Sequence, residues 1–458
     1  MTDPRPLPQP TTADELGVSG LELQTEPVPR KRVIAWAFWD WAAQPYNTVL
    51  LSFVWAPLYL QDAEIFGAPG QTDDDLSAQM GLIIGIGALI IALIAPVLGQ
   101  RNDTAGNRKK WLGIWTALLI VSTAALFFVE PAPAYFLFGA ILIAFASVIS
   151  EIAAVNYYAM LTQVSTKQTV GRVSGLGWGF GYLGGIIMLG LVIAWQLSGW
   201  SGLDQSTGLR LVAVGCAVWT LVFCIPLFLA VPEAAPAPGR ERVGFFRSYV
   251  VLFEDIRGLW RTARGIFWFL LASAVYRDGL AGVFTFAGSI AAITFGFDFF
   301  GVVIFGVVAN VVAGVSTIIS GRFDDAFGPK RVIVFALSGI LVMGVFIFVA
   351  RDLGSWVFWV GGLALAAFVG PAQTASRSLL TRIAPVGREG EIFGLYATTG
   401  RATSFFSPLL WGALIALAGG VQAFGIVGIL VIVAVGLVLF LFVKLPEQAL
   451  GAGARTKG

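Results

Sequence analysis

Residues 99–109 read Gly-Gln-Arg-Asn-Asp-Thr-Ala-Gly-Asn-Arg-Lys, and residues 321–331 read Gly-Arg-Phe-Asp-Asp-Ala-Phe-Gly-Pro-Lys-Arg. Both obey G-x-x-x-D-x-x-G-x-[RK]-[RK], 222 residues apart (99 to 321). Gly99 and Gly321 let neighbouring helices approach, and Gly106 and Gly328 permit a tight turn. Asp103 and Asp325 can meet a helix N-terminus or a base from another helix. Arg108 and Lys330, with the base beside each, suit the anionic surface of a membrane. Such a cluster works as a latch that holds one conformation. Further matches follow at a shift of 219 (161 to 380): Leu161-Thr162-Gln163-Val164 with Leu380-Thr381-Arg382-Ile383, Gly175-Leu176 with Gly394-Leu395, and Gly181 with Gly400. The chain therefore reads as two copies in the same orientation.

Each motif follows an apolar run, and the runs continue on both sides. Of 458 residues, 57% are hydrophobic and 12% charged, about half the charged share of a soluble domain. Mean hydropathy is +0.82. One soluble core could not hide that much apolar surface. A spanning helix needs about 20 apolar residues. Twelve such runs lie near 33–60, 77–98, 111–129, 134–160, 171–197, 209–231, 265–293, 300–320, 331–350, 355–380, 392–418 and 420–443. The expected fold is an all-α polytopic membrane protein, with twelve transmembrane helices in two six-helix bundles related by pseudo-twofold symmetry. Its expected parts are a disordered cytoplasmic tail (1–32), an N-terminal bundle (33–231), a cytoplasmic linker (232–264), a C-terminal bundle (265–444) and a cytoplasmic tail (445–458). The linker turns basic and amphipathic near Phe245 to Trp260, as a segment lying along a membrane surface would.

The bases alternate with the spans. One set of loops holds Arg30 to Arg32, Arg101 to Lys110, Arg240 to Arg264 and Arg322 to Arg331, whereas the opposite loops hold only Arg210 and Arg351. By the positive-inside rule both termini are expected in the cytoplasm of a multi-pass plasma-membrane protein. Cys216 and Cys224 share one run, which excludes a disulfide framework and a zinc site of known spacing. The absence of histidine excludes His-based catalysis and relays. No nucleotide-binding loop of the type G-x-x-x-x-G-K-[ST] occurs. No cofactor, metal or nucleic-acid partner is expected; the expected partners are a small-molecule substrate and the bilayer, and the chain is read as a monomer.

Ionisable groups inside spans cost at least ~2.5 kcal/mol at the bilayer centre and so mark function. Asp40, Glu151, Arg277, Asp278, Arg377 and Arg401 are of this kind. Asp40 or Asp278, or both, are the candidates for binding a proton or a substrate ammonium, against a role as structural partners of the arginines. Arg377 and Arg401 are candidates for a carboxylate, which a planar guanidinium suits; Arg377 could instead snorkel to the nearby membrane surface. Gln44, Asn156, Gln373 and Tyr396 are polar neighbours.

The twelve runs and the paired motifs resemble the major facilitator superfamily, and within it the vacuole-effluxer-like family related to a fungal autophagy-linked amino-acid effluxer. Trp36-Ala-Phe-Trp-Asp40-Trp-Ala, the glycine-rich 171–185, Tyr276-Arg-Asp278-Gly279, Gln373-Thr-Ala-Ser-Arg377-Ser, Gly394-Leu-Tyr396 and Gly400-Arg401 carry the resemblance. Trp39, Ala43 and Arg277 depart from its usual Tyr, Asn and Asn, which is expected to alter polarity near the cavity. The resemblance places Asp40 and Asp278 across a central cavity. It implies secondary active transport by alternating access, with amino acids or related metabolites as cargo, moved by export or with proton coupling. The rival reading is a receptor or sensor that kept the fold without transport. An intramembrane enzyme is weak, for want of histidine, a cysteine pair or metal-type acid clusters.

Overall fold

The computed structural model describes residues 26–233, 245–297, 299–384, 388–419 and 421–444. The tails expected at 1–32 and 445–458, except for residues 26–32, and part of the linker lie outside the described residues. The first half holds α1 (Arg30–Pro45), α2 (Asp73–Ala105), α3 (Arg108–Ala125), α4 (Phe136–Ala159), α5 (Val170–Leu197) and α6 (Gln205–Ala230). The second half holds α7 (Arg264–Ser289), α8 (Phe299–Phe327), α9 (Pro329–Val349), α10 (Trp356–Ile383), α11 (Glu389–Thr403, resuming as Phe406–Leu417) and α12 (Phe424–Leu441). Among the described residues, nine helices are long and apolar enough on their own to cross a membrane. The remaining spans are α2, apolar over Ile83–Ala95, and the interrupted α1 and α11. A linker helix, Phe245–Thr262, runs between the halves and leans on α2.

Proline explains both interruptions. Pro45 has no N–H for the Trp41 carbonyl, which instead accepts from the Trp219 indole at 3.2 Å. The next carbonyl, of Ala42, accepts from the Thr220 hydroxyl at 2.9 Å. Beyond Pro45, α1 continues as π-helical turns, Tyr46–Phe53 and Ala56–Leu60. Such turns accompany a disturbed hydrogen-bond ladder. In α11, Pro408 stands just past the break at Ser404–Phe405. Asp204 caps α6 by accepting from the Thr207 amide at 2.9 Å, which holds its carboxyl below the usual range.

The halves meet along α5 against α8 and α2 against α11, and exchanging the halves turns one pair into the other. Glycine makes the first contact close: a Cβ on Gly175 would stand 2.7 Å from the Thr317 carbonyl oxygen, and one on Gly321 2.7 Å from that of Gly171. Outward-facing Leu197, Leu229, Phe335 and Val349 stay exposed, as a bilayer allows. One expectation is corrected. The motif is not mainly a loop, because Gly99 to Ala105 closes α2 and Gly321 to Phe327 closes α8. The turns narrow to Gly106 (φ +63°) and Gly328 (φ +86°), conformations that favour glycine.

Candidate functional site

Charged residues between the halves form three levels. The deepest lies near mid-membrane. Arg401 stands twelve residues into α11 and Arg277 thirteen into α7, about 18–20 Å from their basic-loop ends at 1.5 Å per residue. The Arg401 guanidinium pairs with Glu151 of α4 across the halves. Both side chains keep about a third of their surface (34% and 38%), so this pair faces an accessible cleft. Arg277 lies over the Tyr396 ring at 3.7 Å and donates to the Tyr396 carbonyl at 2.9 Å. Gly400 leaves the room: a Cβ there would stand 2.9 Å from the guanidinium.

The second level is dry. Asp40 of α1 faces Arg377 of α10 at 3.9 Å, and Arg377 is 2% exposed. Tyr158 and Trp178 flank the guanidinium at 4.7 and 4.5 Å, while its Nη2 donates to the Ser174 carbonyl at 2.9 Å. The Asp40 Oδ2 and the Arg377 Nε and Nη1 have no hydrogen-bond partner. Arg377 therefore does not snorkel. Apolar and aromatic neighbours hold it inside, six residues from the end of α10.

The third level is the latch at the end carrying the basic loops, called here the basic face. Asp325 accepts from the amides of Gly171 (2.8 Å) and Arg172 (3.0 Å) at the start of α5, and from Arg172 Nε (2.9 Å). Arg382 of α10 reaches Asp324 at 3.2 Å and Asp325 at 3.3 Å. On the other side Arg108 meets Glu389 at 2.6 Å, both buried. The Arg401–Glu151 pair is accessible, whereas the side chains of Arg377, Arg382, Asp324, Asp325, Arg108 and Glu389 are buried and Arg172 lies exposed outside them, so the protein is closed at the basic face.

The structure distributes the other expected residues unevenly. Asp278 accepts from the Ser407 amide at 2.8 Å while the Ser407 hydroxyl donates to the Asp278 carbonyl at 2.8 Å, so this acid caps the resumed part of α11. Asn156 accepts from Asn102 at 2.7 Å and ties α4 to α2. Gln44 donates to Thr48 along α1 at 3.4 Å. Gln373 lies on α10, half-buried. Lys330 donates to the Val443 carbonyl at 2.8 Å, at the end of α12. The side chain of Asp103, and anything packed against Gly99, lie outside the described residues. Of the three departures from the family pattern, Trp39 is buried, bonding Thr116 at 3.0 Å, so it does not change the cleft; Arg277 does. Asp324, Arg382 and Glu389 complete the latch without standing out as candidates in the sequence. A signal existed for two of them. Between the repeats Asn102 becomes Asp324 and Gln163 becomes Arg382, an acid and a base gained together.

Two bundles, a cleft of opposed charges and a latch across one mouth define a major facilitator transporter, a class that is not enzymatic. More narrowly, the chain belongs to the family described as "Vacuole effluxer Atg22 like", whose model matches residues 28–450. It is 27% identical over 421 residues to an uncharacterized MFS-type transporter, YxiO, of Bacillus subtilis, covering 91% of this chain and 95% of that one. It is 25% identical over 319 residues to Autophagy-related protein 22-1 of Aspergillus fumigatus, covering 63% of this chain and 52% of the relative. The chain thus spans about half the length of such fungal relatives. In fold it is similar to the proton:xylose symporter XylE (TM-score 0.71, 14% identity, 90% and 94% covered). It is also similar to FucP in the outward conformation (TM-score 0.67, 15% identity, 91% and 99% covered).

Proposed function

We propose that this transporter carries small zwitterions, amino acids being the class the family resemblance implies, and couples their movement to a proton at Asp40. One observation carries the reading. Facing the cleft and the level beneath it, the acids Asp40 and Glu151 come from the first half and the bases Arg277, Arg377 and Arg401 from the second. Asp278, the exception, is engaged as a cap. An ammonium would replace Arg401 at Glu151, and a carboxylate would take the freed Arg401 with Arg277 beside it. A zwitterion bridges the halves where the ion pair did, and rocking carries it across.

Asp40 suits the coupling step because its partner belongs to the opposite half. When the halves part at the basic face, Arg377 leaves with α10. Parted from its base, the carboxylate loses the positive charge that opposes protonation, and it can take up a proton from the opened mouth. The basic face is read as cytoplasmic and the membrane as the plasma membrane, on the distribution of bases.

The test is flux of radiolabelled amino acids in proteoliposomes, with and without a pH gradient. Asp40→Asn should lose pH dependence and retain exchange, while Asp278→Asn retains pH dependence in whatever fraction folds. Arg401→Gln should weaken transport of the zwitterion by roughly tenfold or more and leave the corresponding amino-acid amide less affected. Unchanged pH dependence in Asp40→Asn ends the coupling proposal. Ligand binding without flux would favour the sensor.

A further inference from the structure

A groove of about 670 Å³ opens at the basic face between α1, α5 and α8. Its head is lined by Arg30, Arg172 and Arg322, one from each helix, and by no carboxylate. Its wall is apolar, formed chiefly by Ile34, Leu176, Phe180 and Ile318. All three arginines are exposed. Arg172 spends its Nε on Asp325, whereas Arg30 and Arg322 meet no carboxylate among the described residues. Three cations above a strip of aliphatic and aromatic carbon match an amphiphile with an anionic head. The basic loops set the head at the membrane surface, and the strip runs from there into the span.

We propose that this groove binds an anionic phospholipid, with its phosphate among Arg30, Arg172 and Arg322 and an acyl chain along Ile34, Phe180 and Ile318. The groove has walls from both halves: α1 and α5 from the first, α8 from the second. It is complete only while α5 and α8 touch at the latch. A lipid that binds this complete form and not the parted one shifts the equilibrium toward closure at the basic face. The same lipid neutralises Arg30 of α1 and Arg322 of α8, like charges carried by opposite halves at the mouth of the groove.

The experiment uses delipidated full-length protein and titrates phosphatidylglycerol, phosphatidylcholine and glycerol 3-phosphate, with binding followed by native mass spectrometry. Phosphatidylglycerol should bind in preference to phosphatidylcholine. Glycerol 3-phosphate should bind far more weakly, because it lacks the chain that fills the apolar strip; equal binding would mean a free-phosphate site and overturn the lipid assignment. The double variant R30Q/R322Q should weaken the lipid by roughly 10- to 30-fold, the effect of two surface bases. Arg351→Gln, at the opposite face, serves as control. Hydrogen exchange supplies the second readout: lipid should slow exchange of the Gly171 and Arg172 amides in the wild type and not in R30Q/R322Q. Undiminished lipid binding by the double variant overturns the site, and unchanged exchange overturns the coupling to closure. Residues 1–25 carry Asp3, Asp14, Glu15 and Glu22 and precede in sequence Pro27 and Val28, which line the groove. If the lipid binds only after these residues are deleted, the chain's own acidic segment is the occupant and the proposal falls.

Discussion

The two latches descend from one repeated motif and close the same mouth, yet they are built from different chemistry. On α8, neighbouring acids Asp324 and Asp325 share Arg382, and Asp325 also caps α5. On α2 the corresponding positions are Asn102 and Asp103, and Gln163, just past α4, stands where Arg382 does. Asn102 bonds Asn156, and the ion pair across the halves is Arg108–Glu389, set at the starts of α3 and α11. A common rule survives the divergence. In both cross-half latch pairs, Arg108–Glu389 and Arg172–Asp325, the first half supplies the base and the second half the acid. Deeper in the membrane the polarity inverts: Asp40–Arg377 and Glu151–Arg401 place the acid on the first half. The halves thus attract at every level, but a solute from the cleft meets a polarity opposite to that of the gate.

The largest effect should come from Asp325→Ala. This carboxylate accepts two amides and two guanidinium contacts at once. Its loss removes a helix cap, takes the carboxylate from Arg172, and leaves Arg382 with Asp324 alone. A hydrogen bond to a charged group contributes about 1.5–3 kcal/mol, and four contacts to this carboxylate are lost together. Part of that falls on the closed form, which should become roughly a hundredfold less favoured against the form parted at the basic face. Faster alkylation of a cysteine placed at Ser174 would report this, and unchanged alkylation would mean that Asp325 is no latch. Glu389→Gln should act in the same direction and more weakly, by about 1.5–3 kcal/mol for a hydrogen bond to a charged group. Arg108 keeps its contact with the Ala159 carbonyl at 3.4 Å. If the Glu389 variant opens the gate further than the Asp325 variant, the order of the two latches is reversed.

Much of this architecture is legible in the chain because spanning helices must satisfy their own backbone and face lipid, so hydropathy alone places them. The repeat is legible because both motif copies kept glycine where helices touch or turn. The roles of Asp40 and Asp278 are not. Each is an acid in the first helix of its half, and a sequence shows no difference between them. The difference lies in neighbours distant in the chain: Arg377 for one, and for the other the amide of Ser407, exposed by a break that Pro408 helps to cause. The register of the basic pair was hidden for a similar reason. Alignment of the motifs sets Lys330 against Arg108, but α3 starts two residues after Gly106 and α9 one residue after Gly328. The helix start decides where a side chain goes.

That slip makes the smallest prediction the sharpest. Lys109 donates to the carbonyls of Phe228 and Val231 at the end of α6, and Lys330 to those of Leu441 and Val443 at the end of α12. Each lysine is the second residue of its helix, so they are structural equivalents one residue off the motif alignment. A cation at a helix C-terminus contributes about 0.3–1 kcal/mol. Lys109→Met and Lys330→Met should therefore each lower thermal stability slightly and by similar amounts, and the losses should add, because the sites lie in different halves. Arg331→Met, the true motif partner of Lys109, should cost less than Lys330→Met. A larger loss at 331 than at 330 would show that the motif register, rather than the helix start, governs the turn.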